Sequence, residues 1–100
     1  MLIFSRRIND TIRIGDDVKI TILEIESDSV RVRVDVPQGR IDVLLIVNQP
    51  ITMYGNIQVM LTSLTRNRPS LQAKIGIEAP REIPVHRGEI YQLLKGKADE

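Results

Sequence analysis

Val30-Arg31-Val32-Arg33-Val34-Asp35-Val36 alternates apolar and charged residues without a break. A period of two puts every valine on one face, so the segment reads as a β-strand with one side buried and the other in water. Upstream, Val18, Ile20, Ile22 and Leu23-Glu24-Ile25 form a β-branched run, and the polar Glu26–Ser29 lies between the two runs. Residues 17–36 are therefore predicted to form a hairpin. Two shorter strands precede it, Leu2–Arg7 and Thr11–Ile14, separated by turns at Asn9-Asp10 and Gly15-Asp16-Asp17. Asn, Asp and Gly tolerate the backbone conformations of tight turns. Four strands by residue 36 predict an antiparallel meander.

Beyond Pro37-Gln38-Gly39 the pattern changes. Ile41–Val47 is almost wholly apolar, as expected of a strand shielded on both faces or lying at a seam between two halves. Asn48-Gln49-Pro50 ends it, and Ile51–Tyr54, Ile57–Leu64 and Gln72–Ala79 restore the strand rhythm around Gly55-Asn56 and a polar loop at 65–70. Ile83-Pro84-Val85-His86 is a short strand whose proline cannot donate to a ladder, which predicts an edge. Gly88–Lys95 has helix formers before Gly96 and is the one helix expected. The strand rhythm also repeats internally. Setting Ile41 under Met1, an offset of 40, aligns Asn48-Gln49-Pro50 with Ile8-Asn9-Asp10 and Gly55 with Gly15. Farther on, Val32–Pro37 corresponds to Ile75–Pro80, which implies three extra residues in the second hairpin. Identities are few, so the repeat rests on pattern and turn residues.

Composition narrows the function. One hundred residues with 42% apolar content fit a single compact domain spanning 1–100. Fourteen Lys and Arg against thirteen Asp and Glu leave no global field, so a basic site must be local. There is no cysteine, and His86 is the sole histidine, with no carboxylate pair at ligand spacing; neither a metal nor another cofactor is expected. Val43–Val47, the longest purely apolar run, is too short to cross a bilayer, and no signal peptide is recognisable, so a cytoplasmic protein without membrane contact is expected. No nucleophile stands with a base, which argues against an enzyme. Only Phe4, Tyr54 and Tyr91 are aromatic, so nucleic-acid binding through stacked rings is poorly supplied.

Met1–Arg7, followed by Asp10-Thr11, Ile14–Val18 and Val30-Arg31, resembles the amino-terminal two-thirds of the CsrA/RsmA family of translational regulators. Ala73–Pro80 and Ile83–Tyr91 resemble its carboxy-terminal half. The resemblance implies an all-β sandwich or barrel of two interleaved family copies with one carboxy-terminal helix. The copies would occupy 1–40, lacking the closing strand and helix, and 41–100, with a degenerate opening strand. Family members are homodimers with two equal RNA sites, each made of one subunit's first strand and the other's last, which bind GGA-containing hairpin loops. Here one good opening strand, 2–7, and one good closing strand, 83–87, survive, because the second copy has Leu45-Ile46-Val47 where the first has Ser5-Arg6-Arg7. The resemblance thus implies a monomeric pseudo-dimer with a single RNA site.

Its candidate residues are Phe4, Ser5, Arg6, Arg7, Ala79, Pro80, Ile83, Val85, His86 and Arg87. Guanidinium groups can pair bidentately with phosphate or with guanine O6 and N7, and open strand edges offer backbone groups to splayed bases. Each residue also has a plain reading: the arginines as solvated charge, Phe4, Ile83 and Val85 as core, His86 as a structural or capping residue. Arg66–Pro69 is a basic loop that could grip phosphate or merely close a hairpin, and Lys95 and Lys97 complement a helix dipole. The rival function is a protein-interaction module that binds a family-type partner or antagonist, RNA binding having been lost; exposure of Ile41–Val47 would favour it.

Overall fold

The computed structural model describes residues 1–53, 55–67 and 70–99. Among them lie nine strands and one helix: β1 (Leu2–Arg6), β2 (Thr11–Ile14), β3 (Val18–Ile25), β4 (Ser29–Val36), β5 (Gly39–Ile46), β6 (Ile51–Met53), β7 (Ile57–Asn67), β8 (Ser70–Glu78), β9 (Val85–Arg87) and α1 (Gly88–Asp99). They form two antiparallel sheets, ordered β1-β8-β7-β6 and β5-β4-β3-β2-β9. The fold is all-β, as the alternating pattern predicts. One core joins the sheets. Ile12, Ile14, Ile20, Ile22, Val30, Val32 and Leu45 from one meet Ile57, Val59, Leu61, Ala73, Ile75 and Ile77 from the other, all essentially water-free. Burying each such aliphatic side chain is worth about 1.5–3 kcal/mol before the entropy of ordering is charged against it. On the wet face of β4, Arg33 donates to Asp42 at 2.9 and 3.2 Å, and Asp35 accepts from Arg40 at 2.6 Å.

The meander is β2–β5, not the first four strands. β1 leaves it and pairs with β8 in the opposite sheet, Leu2 opposite Ile77 and Arg6 opposite Ala73. The redirection occurs at Asn9, whose φ of 75° turns the chain and whose N–H donates to Ile22 O at 2.7 Å. β5 also departs from expectation. It is an edge strand with Leu45 fully buried and Ile41, Leu44 and Ile46 exposed, so it is not shielded on both faces. The loop expected at 65–70 is largely strand: β7 runs to Asn67 and β8 starts at Ser70, while Arg68 and Pro69 lie outside the described residues, as do Tyr54 and Glu100. The helix extends past Gly96 to Asp99.

Strand order exposes the repeat and corrects its register. β5 lies on β4 as β1 lies on β8, and β4-β3-β2 matches β8-β7-β6. The offset is 39, not 40. Asn48, φ 64°, donates to Leu61 O at 2.8 Å as Asn9 does to Ile22 O, and the N–H of Gln49 bonds Ile46 O as that of Asp10 bonds Arg7 O. Even the bulge recurs, between Ile22 and Glu24 in one half and between Leu61 and Ser63 in the other. Val34 opposes Ile20 and Ile77 opposes Val59, so from the second hairpin onward the offset is 43, which makes four extra residues there rather than three. Arg6 therefore corresponds to Leu45, and the counterparts of Ser5-Arg6-Arg7 are Leu44-Leu45-Ile46.

Candidate nucleic-acid interface

β1 is the edge of one sheet and β9 the edge of the other, and their carboxy ends meet at one corner. β9 is set by its ladder to β2, with Val85 opposite Ile14, His86 opposite Arg13 and Arg87 opposite Ile12. Gly15, at φ 61°, donates to Pro84 O at 2.7 Å, and a Cβ there would sit 3.2 Å from Ile83 Cγ2, so the β2–β3 turn locks the approach to β9. Ile83 N in turn donates to Pro80 O at 3.0 Å, which closes the turn leading out of β8.

Arg6 occupies the centre of this corner. The alternation that turns Phe4 toward the core turns Arg6 the same way, and Arg6 is only 3% exposed. A guanidinium buried there needs partners, since an unpaired buried charge is costly. It has four: Nε donates to Ser5 O at 2.9 Å, Nη1 to Thr11 O at 3.2 Å and to Glu89 Oε1 at 2.9 Å, and Nη2 to Glu89 Oε2 at 3.2 Å. The fork onto Glu89 is bidentate, at the first turn of α1, where the helix dipole also favours a carboxylate. Arg6, with help from Glu89's backbone hydrogen bond and from Arg87, lowers the Glu89 pKa to about 2. The expectation that Arg6 presents its guanidinium to a ligand is thereby corrected: its donors are used to tie β1 to β2 and α1.

The outward donors are Arg7 and Arg87, both exposed, with Arg87 Nε 3.8 Å from Glu89 Oε2. Ser5 is exposed beside them. Phe4, Ala79, Ile83 and Val85 are half-buried against the core, and Pro80 and His86 are half-buried too. The structure thus brings the carboxy ends of β1 and β9 to one corner, with Arg6 beneath it.

A further cluster, which sequence reasoning missed, seats the helix. Tyr91 Oη donates to Asp16 Oδ1 at 2.9 Å, Lys95 Nζ lies 3.2 Å from the same oxygen, and the Arg13 guanidinium stacks 4.0 Å from the Tyr91 ring centre. Tyr91's hydrogen bond, followed by Lys95, lowers the Asp16 pKa. Lys95 therefore does more than complement the helix dipole. The sequence signal was weak, an Asp in a turn and a Tyr three residues into a helix, 75 positions apart. Gly88 completes the junction: a Cβ there would collide with the Thr11 side chain.

Among the described residues no group of His, Cys, Asp or Glu could hold a metal ion, and no helix is long and apolar enough to cross a membrane. A family model described as CsrA, global regulator protein family, matches residues 1–44 and again 46–95. The chain is 28% identical over 95 residues to the translational regulator CsrA of Rhodopirellula baltica, covering 95% of this chain and 74% of that protein. No solved structure matches it.

Proposed function

The chain belongs to the CsrA global regulator family, duplicated within one polypeptide, and from that premise we propose that it is a non-catalytic, RNA-binding post-transcriptional regulator. The offset of 39 sets Arg40 under Met1, so we place the boundary between the copies at residues 39 and 40, one residue earlier than the sequence pattern puts it. The relative from Rhodopirellula baltica is a translational regulator, which supports the same role here. The ligand we propose is a GGA-bearing hairpin loop in a message or small RNA, bound one per chain at the β1–β9 corner. One observation carries this reading: Arg7 and Arg87 stand exposed beside the buried Arg6 and its exposed partner Glu89, whereas the twin corner carries Leu44-Leu45-Ile46 in place of Ser5-Arg6-Arg7.

In this scheme Arg7 and Arg87 pair with phosphate or guanine edges, and the open backbone of β1 and β9 reads splayed bases. Ser5 adds a hydroxyl at the exposed edge, His86 lies beside Arg87 on β9, Phe4, Ile83 and Val85 form the floor, and Ala79-Pro80 shape the rim. Arg6 positions the corner without touching RNA. The chain acts as a monomer in the cytoplasm. A single site forfeits the avidity of holding two loops at once, so double-loop messages gain little over single-loop ones.

The test is a calorimetric titration with one GGA hairpin and with the same hairpin carrying CCA. The expected result is one loop per chain, preference for GGA, and a loss of roughly 10–100-fold for Arg87→Ala with unchanged circular dichroism. Two equal loops per chain, or indifference to the GGA change, would overturn it.

A further inference from the structure

The two halves match strand for strand until the fifth position. β9 lies beside β2 and completes a five-stranded sheet, but the outer edge of β6, the counterpart of β2, carries no strand among the described residues. The difference shows in burial. Ile12 and Ile14, on β2 beside β9, are 0% and 1% exposed, while their counterparts Ile51 and Met53 on β6 are only half-buried. Beside β6 a groove of about 310 Å³ opens along the seam between the sheets, lined by Val34, Val36, Ile41, Val43 and the β6 residues Ile51–Met53, of which only Thr52 is polar. Apolar walls around an unpaired strand edge are an acceptor waiting for a donor.

We propose that the β6 edge and this groove accept an extended peptide strand from a different polypeptide, running antiparallel to β6 with uncharged, β-branched side chains at alternate positions. The chemistry of the occupant follows from the twin position. There Val85 lies opposite Ile14, and Ile83, two residues earlier, packs on the β2–β3 turn. A donor strand placing two such residues opposite and just beyond Met53 fills the groove as β9 fills its own. The second copy of this chain is a poor donor, because its β9 is already paired with β2. RNA is a poor occupant, because no cationic side chain lines the groove. This site is separate from the β1–β9 corner and does not depend on the RNA reading.

The probe is a fluorescein-labelled decapeptide with the sequence of residues 79–88, titrated into the full chain by anisotropy and mapped by amide shifts. Saturable binding is expected, with shifts centred on residues 51–53. Ile41→Lys, at a residue 60% exposed and thus tolerated by the fold, weakens it roughly tenfold or more. Leu94→Lys on the helix leaves it unchanged, and so does a saturating GGA hairpin. A peptide with aspartate at the Ile83 and Val85 positions does not bind. The proposal is overturned if the parent peptide shows no saturation by about 1 mM, if Ile41→Lys binds as well as the parent chain, or if the shifts fall on β2, meaning that β9 is displaced instead. Displacement of the peptide by RNA would reassign the groove to nucleic acid. Sedimentation as a dimer that the peptide dissolves would reassign it to a second copy.

Discussion

Replacing Glu89 by alanine removes both oxygens from a guanidinium whose side chain is 4% exposed, while Glu89 itself is 56% exposed. Breaking a fully buried pair from one side costs about 3–5 kcal/mol. Two features reduce that figure here. Arg6 keeps Ser5 O and Thr11 O, with Asp10 Oδ2 4.0 Å away, and water can enter where the half-exposed carboxylate stood. After this discount for solvent the expected loss is about 2 kcal/mol. For a domain of this size that lowers Tm by roughly 8–16 °C. Urea denaturation followed by circular dichroism should show a lower midpoint at unchanged slope, and Glu89→Gln, which keeps one acceptor, should recover part of it. The pH dependence has a definite sign. The Glu89 pKa is depressed from 4.5 to about 2 on folding, so its contribution is fully present above pH 4.5 and fades as pH falls from there through about 2. Wild type should therefore lose more stability than Glu89→Ala across that window. A midpoint shift equivalent to less than about 0.5 kcal/mol, the ordinary range for surface changes, or identical acid profiles for the two proteins, would refute the assignment of Arg6 as a buried, Glu89-dependent clamp.

Other outcomes follow from the same geometry. Leu45→Ala should cost about 2–5 kcal/mol by denaturant titration, and Leu45→Arg should be worse, because the buried twin of Arg6 has no Glu89 to meet it. Asn9→Ala and Asn48→Ala should each cost roughly 1–2 kcal/mol, since both positions lie at positive φ, whereas the glycine variants should be close to neutral; urea midpoints distinguish the two pairs. Gly88→Ala forces a methyl into the Thr11 side chain and should cost about 1–3 kcal/mol, with partial rescue by Thr11→Ala in a double-mutant cycle.

What the sequence by itself determined was local. The β-branched run at Val18–Ile25, the alternating run at Val30–Val36, the Asn and Gly turns and the proline before Val85 are statements about a residue and its neighbours, and the central hairpin of β3 and β4 and the β9 edge appear where those patterns put them. The duplication was also visible, because both halves carry the same order of strands and turns. Its register was not. Ile41–Val47 is apolar except at Asp42, which falls opposite an apolar residue of the first copy at an offset of 39 or of 40, so polarity does not choose between them, and only the paired asparagine turns and the ladders to β4 and β8 fix the offset at 39. The tertiary structure alone chose β8 over β2 as the partner of β1. That choice decided the fate of Arg6. It reads as a surface charge beside Arg7, but a strand register turns it inward and a carboxylate 83 positions away receives it. Alternation is encoded within a segment, whereas the identity of the face that becomes core depends on which distant strand lies against it.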